Sequence, residues 1–364
     1  MHRKTRFVCV SDTHTYTPAE AGFKLPAGDV LIHAGDLTNL GSLSELRRTI
    51  AWIAKSDYEV KIIVAGNHDV SLDPTFYARH GTGFQKDHLE DPQECIEAIT
   101  KAFSILYLRH ESAVVQLSRP DGPKTVFKVF GSPYSPSSGN WAFGYEAADA
   151  EALWDQIPRD TDIVVTHTPP YSHRDNRATG GPVGCAALRQ VLQRVRPKLA
   201  VCGHVHESRG YERVRWISTS ETDPAAKDQV VVVPGVLPPP REKAPRLDNP
   251  GLWVHGDCTT SRMEDQSLVS GCSGSGSATN GNRLAMERRQ MTEYEGCGGD
   301  HDASDHAIRA RASRQETCIV NAAIMGTSWP HRGGKRFNTP IVVDLELPMQ
   351  KALPLDEGPG YDKQ

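Results

Sequence analysis

An α/β fold is expected for this chain of 364 residues. Short apolar runs rich in Val and Ile alternate with segments of helical period, the runs end in Gly, Ser or His, and the rhythm persists from residue 6 to about 217. The first run is "RFVCVS", from Arg6 to Ser11, and "DVLIHAG" follows from Asp29. Next come "VKIIVAG" from Val60, "VFKVFGS" from Val126, "DIVVTH" from Asp162 and "KLAVCG" from Lys198. Runs this continuous suit strands buried on both faces. Between the second and third, Leu43, Leu46, Ile50 and Ile53 recur at helical spacing, and Ser42 with Glu45 three residues on makes a capping box for that helix. Glu146 to Ile157 reads as an amphipathic segment before "DIVVTH". Leu188, Val191, Leu192 and Val195 mark another helix, stopped before Pro197.

Composition changes after about Ser218. The stretches "VPGVLPPPREKAPRLDNPG" and "SGCSGSGSATNGNR" are rich in Pro, Gly and Ser without hydrophobic period, and such text buries too little surface to offset chain entropy. Residues 218–316 are therefore expected to be a loosely ordered or disordered insertion. "TCIVNAAI" and "PIVVDLEL" then resume the earlier rhythm, so the expected domain comprises 1–217 plus 317–350, with a tail at 351–364.

The formal charge of -4, with 38% hydrophobic and 24% charged residues, describes a soluble globular protein with no overall pull toward long nucleic acid or an anionic membrane. The N-terminus has only a short apolar run and no stretch approaches the roughly 18 apolar residues of a membrane span, so a cytoplasmic, unanchored chain is expected. Eight cysteines lack a framework spacing, which points to reduced thiols. Cys258, Cys272, Cys297, His301 and His306 match no zinc pattern.

Chemistry gathers at the ends of the apolar runs. Asp12 and His14 stand in "SDTH", Asp36 in "HAGDL", Asn67 and His68 in "AGNHD", His167 in "VVTHTPP", and His204 and His206 in "CGHVH". The carboxyl ends of parallel strands share one edge of a sheet, so these groups are expected to converge there. Gly35, Gly66 and Gly203 immediately precede Asp36, Asn67 and His204, where the backbone must turn tightly. On extended backbone, positions two apart point the same way, which would send His204 and His206 into one cleft. Carboxylates, imidazoles and an amide oxygen without thiolate suit Mn, Fe, Zn or Ni. The donors exceed the needs of one ion. Two ions about 3.5–4 Å apart that share a carboxylate can jointly deprotonate a water and bind phosphate oxygens, so metal-assisted phosphoester hydrolysis is expected. Three residues are candidates for touching the substrate. Trp141 and Phe143 in "GNWAF" either stack on a base or pack in the core, and Arg174 in "SHRDN" either neutralises phosphate or serves a surface ion pair with Asp175.

The ordered set Asp-x-His, Gly-Asp, Gly-Asn-His-Asp, His and Gly-His-x-His resembles the calcineurin-like metallophosphoesterases. The resemblance implies a four-layer α/β/β/α sandwich, two mixed sheets flanked by helices, with a dinuclear metal centre at the sheet edge. By the same resemblance Asp12, His14 and His206 hold one ion, Asn67, His167 and His204 the other, and Asp36 bridges them. His68 would face the substrate, stabilising transition-state charge or protonating the leaving group, with Asp69 as its orienting partner. More narrowly, "FGSPYSPSSGNWAF", "HTPPYSHRDN" and "VGCAALRQVLQRVRPKLAVCGHVHE" resemble the metallophosphoesterase-domain-containing subfamily, which is similar to class III cyclic-nucleotide phosphodiesterases. That implies a phosphodiesterase acting on a small diester such as a cyclic nucleotide, with two divalent ions and manganese effective in vitro. The rival readings are a phosphomonoesterase or protein phosphatase, and a metal-binding scaffold without turnover.

Overall fold

The structure, a computed structural model, describes residues 1–178, 180–216, 230–235, 246–248, 314–328, 330–331 and 334–349. The chain enters through strand β1 (His2–Val10), a single-turn helix α1 (Pro18–Ala21), β2 (Val30–Ala34), helix α2 (Leu43–Lys55) and β3 (Val60–Val64). Helices α3 (Pro74–Phe84) and α4 (Pro92–Thr100) lead to β4 (Ile105–Tyr107), and β5 (Glu111–Gln116) pairs with β6 (Val126–Ser132). Short strands β7 (Ser135–Pro136) and β8 (Gly144–Tyr145) bracket the loop that carries Trp141. Helix α5 (Ala150–Trp154) precedes β9 (Ile163–Thr166), and a small hairpin of β10 (Asn176–Arg177) and β11 (Gly181–Pro182) precedes helix α6 (Ala186–Val195). The chain continues through β12 (Leu199–Cys202), β13 (Gly210–Trp216), β14 (Val230–Pro234), β15 (Arg246–Asp248), β16 (Glu316–Asn321) and β17 (Ile341–Pro348).

Two mixed sheets result, ordered β15-β17-β1-β2-β3-β4 and β14-β13-β16-β12-β9-β6-β5. Within the first, β1, β2, β3 and β4 run parallel, while β17 is antiparallel to β1. Within the second, β6, β9, β12 and β16 run parallel, and β13 is antiparallel to β16. Alternate residues explain why the runs are apolar throughout. Phe7, Ile32 and Ile62 face Phe127, Val165 and Val201 in the core between the sheets, and the rings of Phe7 and Phe127 meet edge-on at 5.4 Å. Their neighbours Val8, Leu31 and Ile63 face outward beneath Leu46, Ile50 and Ile53 of α2 and Ile99 of α4. On the far side, Val164, Ala200 and Ile319 lie beneath Trp154 of α5 and Leu188 and Leu192 of α6. Each large aliphatic side chain so buried contributes about 1.5–3 kcal/mol. The expected four-layer order of helix, sheet, sheet and helix is the one observed.

Local signals account for the helix boundaries. Ser42 accepts from the Glu45 amide and the Glu45 carboxylate accepts from the Ser42 amide at 3.1 Å, the capping box expected for α2. Helices α3 and α4, which the sequence reading did not include, begin with Asp then Pro: Asp73 accepts from Phe76 N at 3.0 Å and Asp91 from Gln93 N at 2.8 Å, with Pro at the first helical position of each. Helix α6 is capped by Cys185, whose sulfur accepts from Leu188 N. The segment Glu146–Ile157 is helical only over Ala150–Trp154, after a 3₁₀ turn at Ala147–Asp149.

The expected insertion at 218–316 and tail at 351–364 lie mainly outside the described residues; of the described pieces, β14 and β15 add to one edge of each sheet, and Glu316 opens β16. Among the described residues, Cys9, Cys95, Cys185, Cys202 and Cys318 are buried free thiols. No helix among them is long and apolar enough to cross a membrane.

Candidate metal centre and cleft

Every expected donor sits just beyond the carboxyl end of a strand: Asp12 and His14 after β1, Asp36 after β2, Asn67 after β3, His167 after β9, and His204 and His206 after β12. The donor atoms of Asp12, His14, Asp36 and His206 all lie within 4.8 Å of one another. Within that group His206 Nε2 is 3.2 Å from Asp12 Oδ1 and 3.3 Å from His14 Nε2. A second group adjoins it. Asn67 Oδ1 is 3.0 Å from His167 Nε2 and 2.8 Å from His204 Nδ1, and the two ring nitrogens are 3.2 Å apart. Asp36 reaches both groups, with Oδ2 3.7 Å from His14 Nε2 and Oδ1 3.4 Å from His167 Nε2. One carboxylate oxygen for each group is the arrangement a bridging ligand needs.

The ring orientations test whether cations fit. His14 Nδ1 lies 3.2 Å from Thr38 O, His206 Nδ1 3.1 Å from Thr327 O and His167 Nδ1 3.0 Å from Ala34 O. A carbonyl only accepts, so each Nδ1 carries hydrogen, and each ring in its neutral form would turn an Nε2 lone pair inward. In their neutral forms His14 and His206 would hold two Nε2 lone pairs 3.3 Å apart, which gain nothing from each other and much from a shared cation. Electrostatics agree. Burial pushes His14 and His204 down to about 3, leaving them neutral ligands at ordinary pH. Burial opposes charge on Asp12, yet its hydrogen bond and attraction to His206 hold it at about 2. Burial likewise opposes protonation of His167 and His206, but Asp36 raises the first and Asp12 the second to about 9. The buried carboxylates thus call for positive charge at two points, one in each group. The donor set fits two divalent ions.

Small residues make this density of donors possible. A β-carbon on Gly66 would lie 2.3 Å from Asp36 Oδ1, and one on Gly203 would lie 2.2 Å from Asp12 Oδ2. Four donors occupy left-handed backbone, Asp12 at φ 51°, His14 at 43°, Asp36 at 54° and His204 at 67°, a cost typical of positions held for function. The conformation of His204 corrects the extended-backbone reading of "CGHVH". Cys202 ends β12, His204 turns left-handed and His206 opens a 3₁₀ turn, so the two rings converge by reversal of the chain and not by strand alternation.

Of the donors, Asp36, Asn67, His204 and His206 line a cleft of about 190 Å³ whose lining also includes His68, Trp141, Arg177 and Ser328. His68 sits at its edge with its ring 4.0 Å from that of Trp141, and its amide donates to Asp36 Oδ1 at 3.0 Å. Its Nδ1 meets Asn39 O at 2.7 Å, so the orienting group is that carbonyl and not Asp69. Asp69 is buried and accepts from Gly66 N, Leu37 N, Thr38 N and Thr38 Oγ1, tying the Asp36 loop to the Asn67 loop. Of the other sequence candidates, Trp141 lines the cleft and Phe143 does not: it is 6% exposed, packed near Tyr134. Arg174 is turned away, donating to Tyr211 O and paired with Glu212 at 3.4 Å. Arg177, three residues on, lines the cleft instead. The sequence offers Arg174, nearer the motif histidine, as the candidate; only the hairpin geometry separates the two.

Residues 5–208 match the family model described as calcineurin-like phosphoesterase, and the chain belongs to that family. Its donor set, with Asp12, His14, Asp36 and His206 gathered at one point, is one that could hold a divalent metal ion. Within the family the chain is similar to metallophosphoesterase domain-containing protein 1 of Homo sapiens, 37% identical over 212 residues that make up 57% of this chain and 62% of the relative. It is also 42% identical over 214 residues to an Emericella nidulans protein named "Probable rhamnogalacturonate lyase C", covering 58% of this chain and 18% of that one. The chain therefore spans less than two thirds of either relative. A solved structure titled "GAP50 the anchor in the inner membrane complex of Plasmodium" aligns with a TM-score of 0.31 at 15% identity, over 58% of this chain and 68% of that one.

Proposed function

We propose that the protein is a dinuclear phosphodiesterase acting on cyclic nucleotides or related small diesters. The observation that carries this reading is the pair of donor groups sharing Asp36 in the cleft that His68 and Trp141 also line. In it, Asp12, His14 and His206 would hold one ion, Asn67, His167 and His204 the other, and Asp36 would serve both. Bound divalent ions, of which manganese is the first choice, supply Lewis-acid stabilisation of phosphoryl charge and an activated water nucleophile. The chain supplies the rest. His68, fixed through Nδ1 by the Asn39 carbonyl, serves the leaving oxygen as acid, and Trp141 offers an aromatic face for a base or another flat leaving group.

A matched assay with Mn of 2′,3′-cAMP, 3′,5′-cAMP, bis-p-nitrophenyl phosphate and p-nitrophenyl phosphate tests the reading. A diester is the preferred substrate, and His68→Ala lowers kcat by roughly a hundred- to ten-thousand-fold without loss of metal. Preference for the monoester would contradict the diester assignment. Two bound metals with no turnover of any ester would identify a scaffold.

A further inference from the structure

We propose that Arg177 is the residue of this cleft that binds the phosphoryl group of the substrate, its guanidinium donating to a non-bridging oxygen. The proposal rests on the phosphoesterase reading and adds a residue to it. Among the described residues lining the cleft Arg177 is the sole Lys or Arg, and it keeps company there with His204, His206 and Ser328. It is exposed, and among the described residues no carboxylate lies within ion-pair distance of it. The arginine three positions earlier is already used, its guanidinium held by Glu212 and the Tyr211 carbonyl.

The chain leading to Arg177 is firmly anchored, which makes its position an arranged one. Buried Asp175 accepts from Ser172 N at 2.9 Å and from Gly184 N at 2.8 Å, closing the base of the loop that carries the hairpin. Asn321 Nδ2 donates to Arg174 O at 3.1 Å and Ser208 Oγ to Asn176 O at 2.6 Å. The loop is therefore fastened to β16 and to the turn bearing His206. Arg177 itself pairs with Gly181 in the hairpin, and its guanidinium, which meets no carboxylate among the described residues, lines the same cleft as the donors His204 and His206. A guanidinium so placed matches the charge and the paired oxygens of a phosphoryl group.

Titration calorimetry of inorganic phosphate into the Mn-loaded full chain tests the assignment without turnover. Arg177→Ala should weaken phosphate binding roughly ten- to a hundred-fold, the effect of one charge-assisted hydrogen bond, and Arg177→Lys should recover only part of it. Arg79→Ala, which removes an equal charge beside a separate groove, should leave binding within about two-fold. Unchanged phosphate binding by Arg177→Ala would overturn the assignment while leaving the phosphoesterase reading intact. So would a loss seen with bis-p-nitrophenyl phosphate as the titrant and not with inorganic phosphate, since it would place the contact on another part of the substrate. A metal-loaded wild type that binds no phosphate and cleaves no ester would overturn both.

Discussion

A β-carbon at Gly203 would stand 2.0 Å from the Ser11 hydroxyl and 2.2 Å from Asp12 Oδ2. Both partners are fully buried and Ser11 Oγ already donates to Ala34 O, so neither can swing clear. Gly203→Ala is expected to displace Asp12, lower stability by about 1–3 kcal/mol and reduce the metal content of the Asp12 position, as denaturant titration and metal analysis would show. Donors at this scale were legible because the chemistry resides in the side-chain type: Asp, His and Asn at run ends announce themselves. Their supports were not. Thr38, Ala34 and Thr327 orient His14, His167 and His206 through backbone carbonyls, which any residue possesses and no sequence advertises. The choice between Arg174 and Arg177 was hidden for a related reason, because it depends on Glu212, a residue on a strand 38 positions beyond the first of them that pairs with Arg174.

The capping box of α2 reaches beyond its helix. Glu45 accepts from Ser42 N at 3.1 Å and also from Leu40 N at 3.1 Å and Asn39 N at 3.3 Å, which fixes the segment whose Asn39 carbonyl holds His68. Glu45→Ala is therefore expected to cost about 1 kcal/mol of stability and to lower kcat more than it raises KM. Glu45→Gln, which keeps the box, should restore most of both. A stability loss without any change in kcat would confine Glu45 to the helix. Elements such as α2 and the central strands were readable from apolar period and caps. Helices α3 and α4 carried the Asp-Pro start signal but modest apolar faces, and β13 shows strict alternation of buried and half-buried residues that signals a strand beyond the expected apolar runs. The turn at His204 was misread because left-handed backbone in a non-glycine residue is set by the packing around it, not by local preference.

Across the whole molecule, the candidate metal positions join the two sheets. Asp12 and His14 come from the first sheet and His206 from the second; Asn67 comes from the first and His167 and His204 from the second. Ions bound there cross-link the layers, and an ion present at a thousand-fold over its Kd adds about 4 kcal/mol to folding stability. Chelation should remove that gain and expose a pH dependence. In the metal-free chain, His167 and His206 have folded pKa values raised to about 9, so their stabilising charge is fully present below the unfolded histidine value of about 6.5 and lost as pH rises through about 9. His14 and His204, lowered to about 3, and Asp12, lowered to about 2, do not change protonation in the folded state across that window. Denaturant titrations in EDTA should therefore show stability falling between pH 6.5 and 9, while metal affinity rises because binding must displace those protons. Stability flat in pH without metal would contradict this electrostatic account.

The central claim, two adjacent metal positions bridged by Asp36 and served by one histidine each from "CGHVH", is tested most directly by metal content per chain. After equilibration with Mn and removal of free ion, wild type should hold two ions and His206→Ala close to one, its Asn67, His167 and His204 group still occupied. Two ions in both proteins, or none in wild type, would contradict the account.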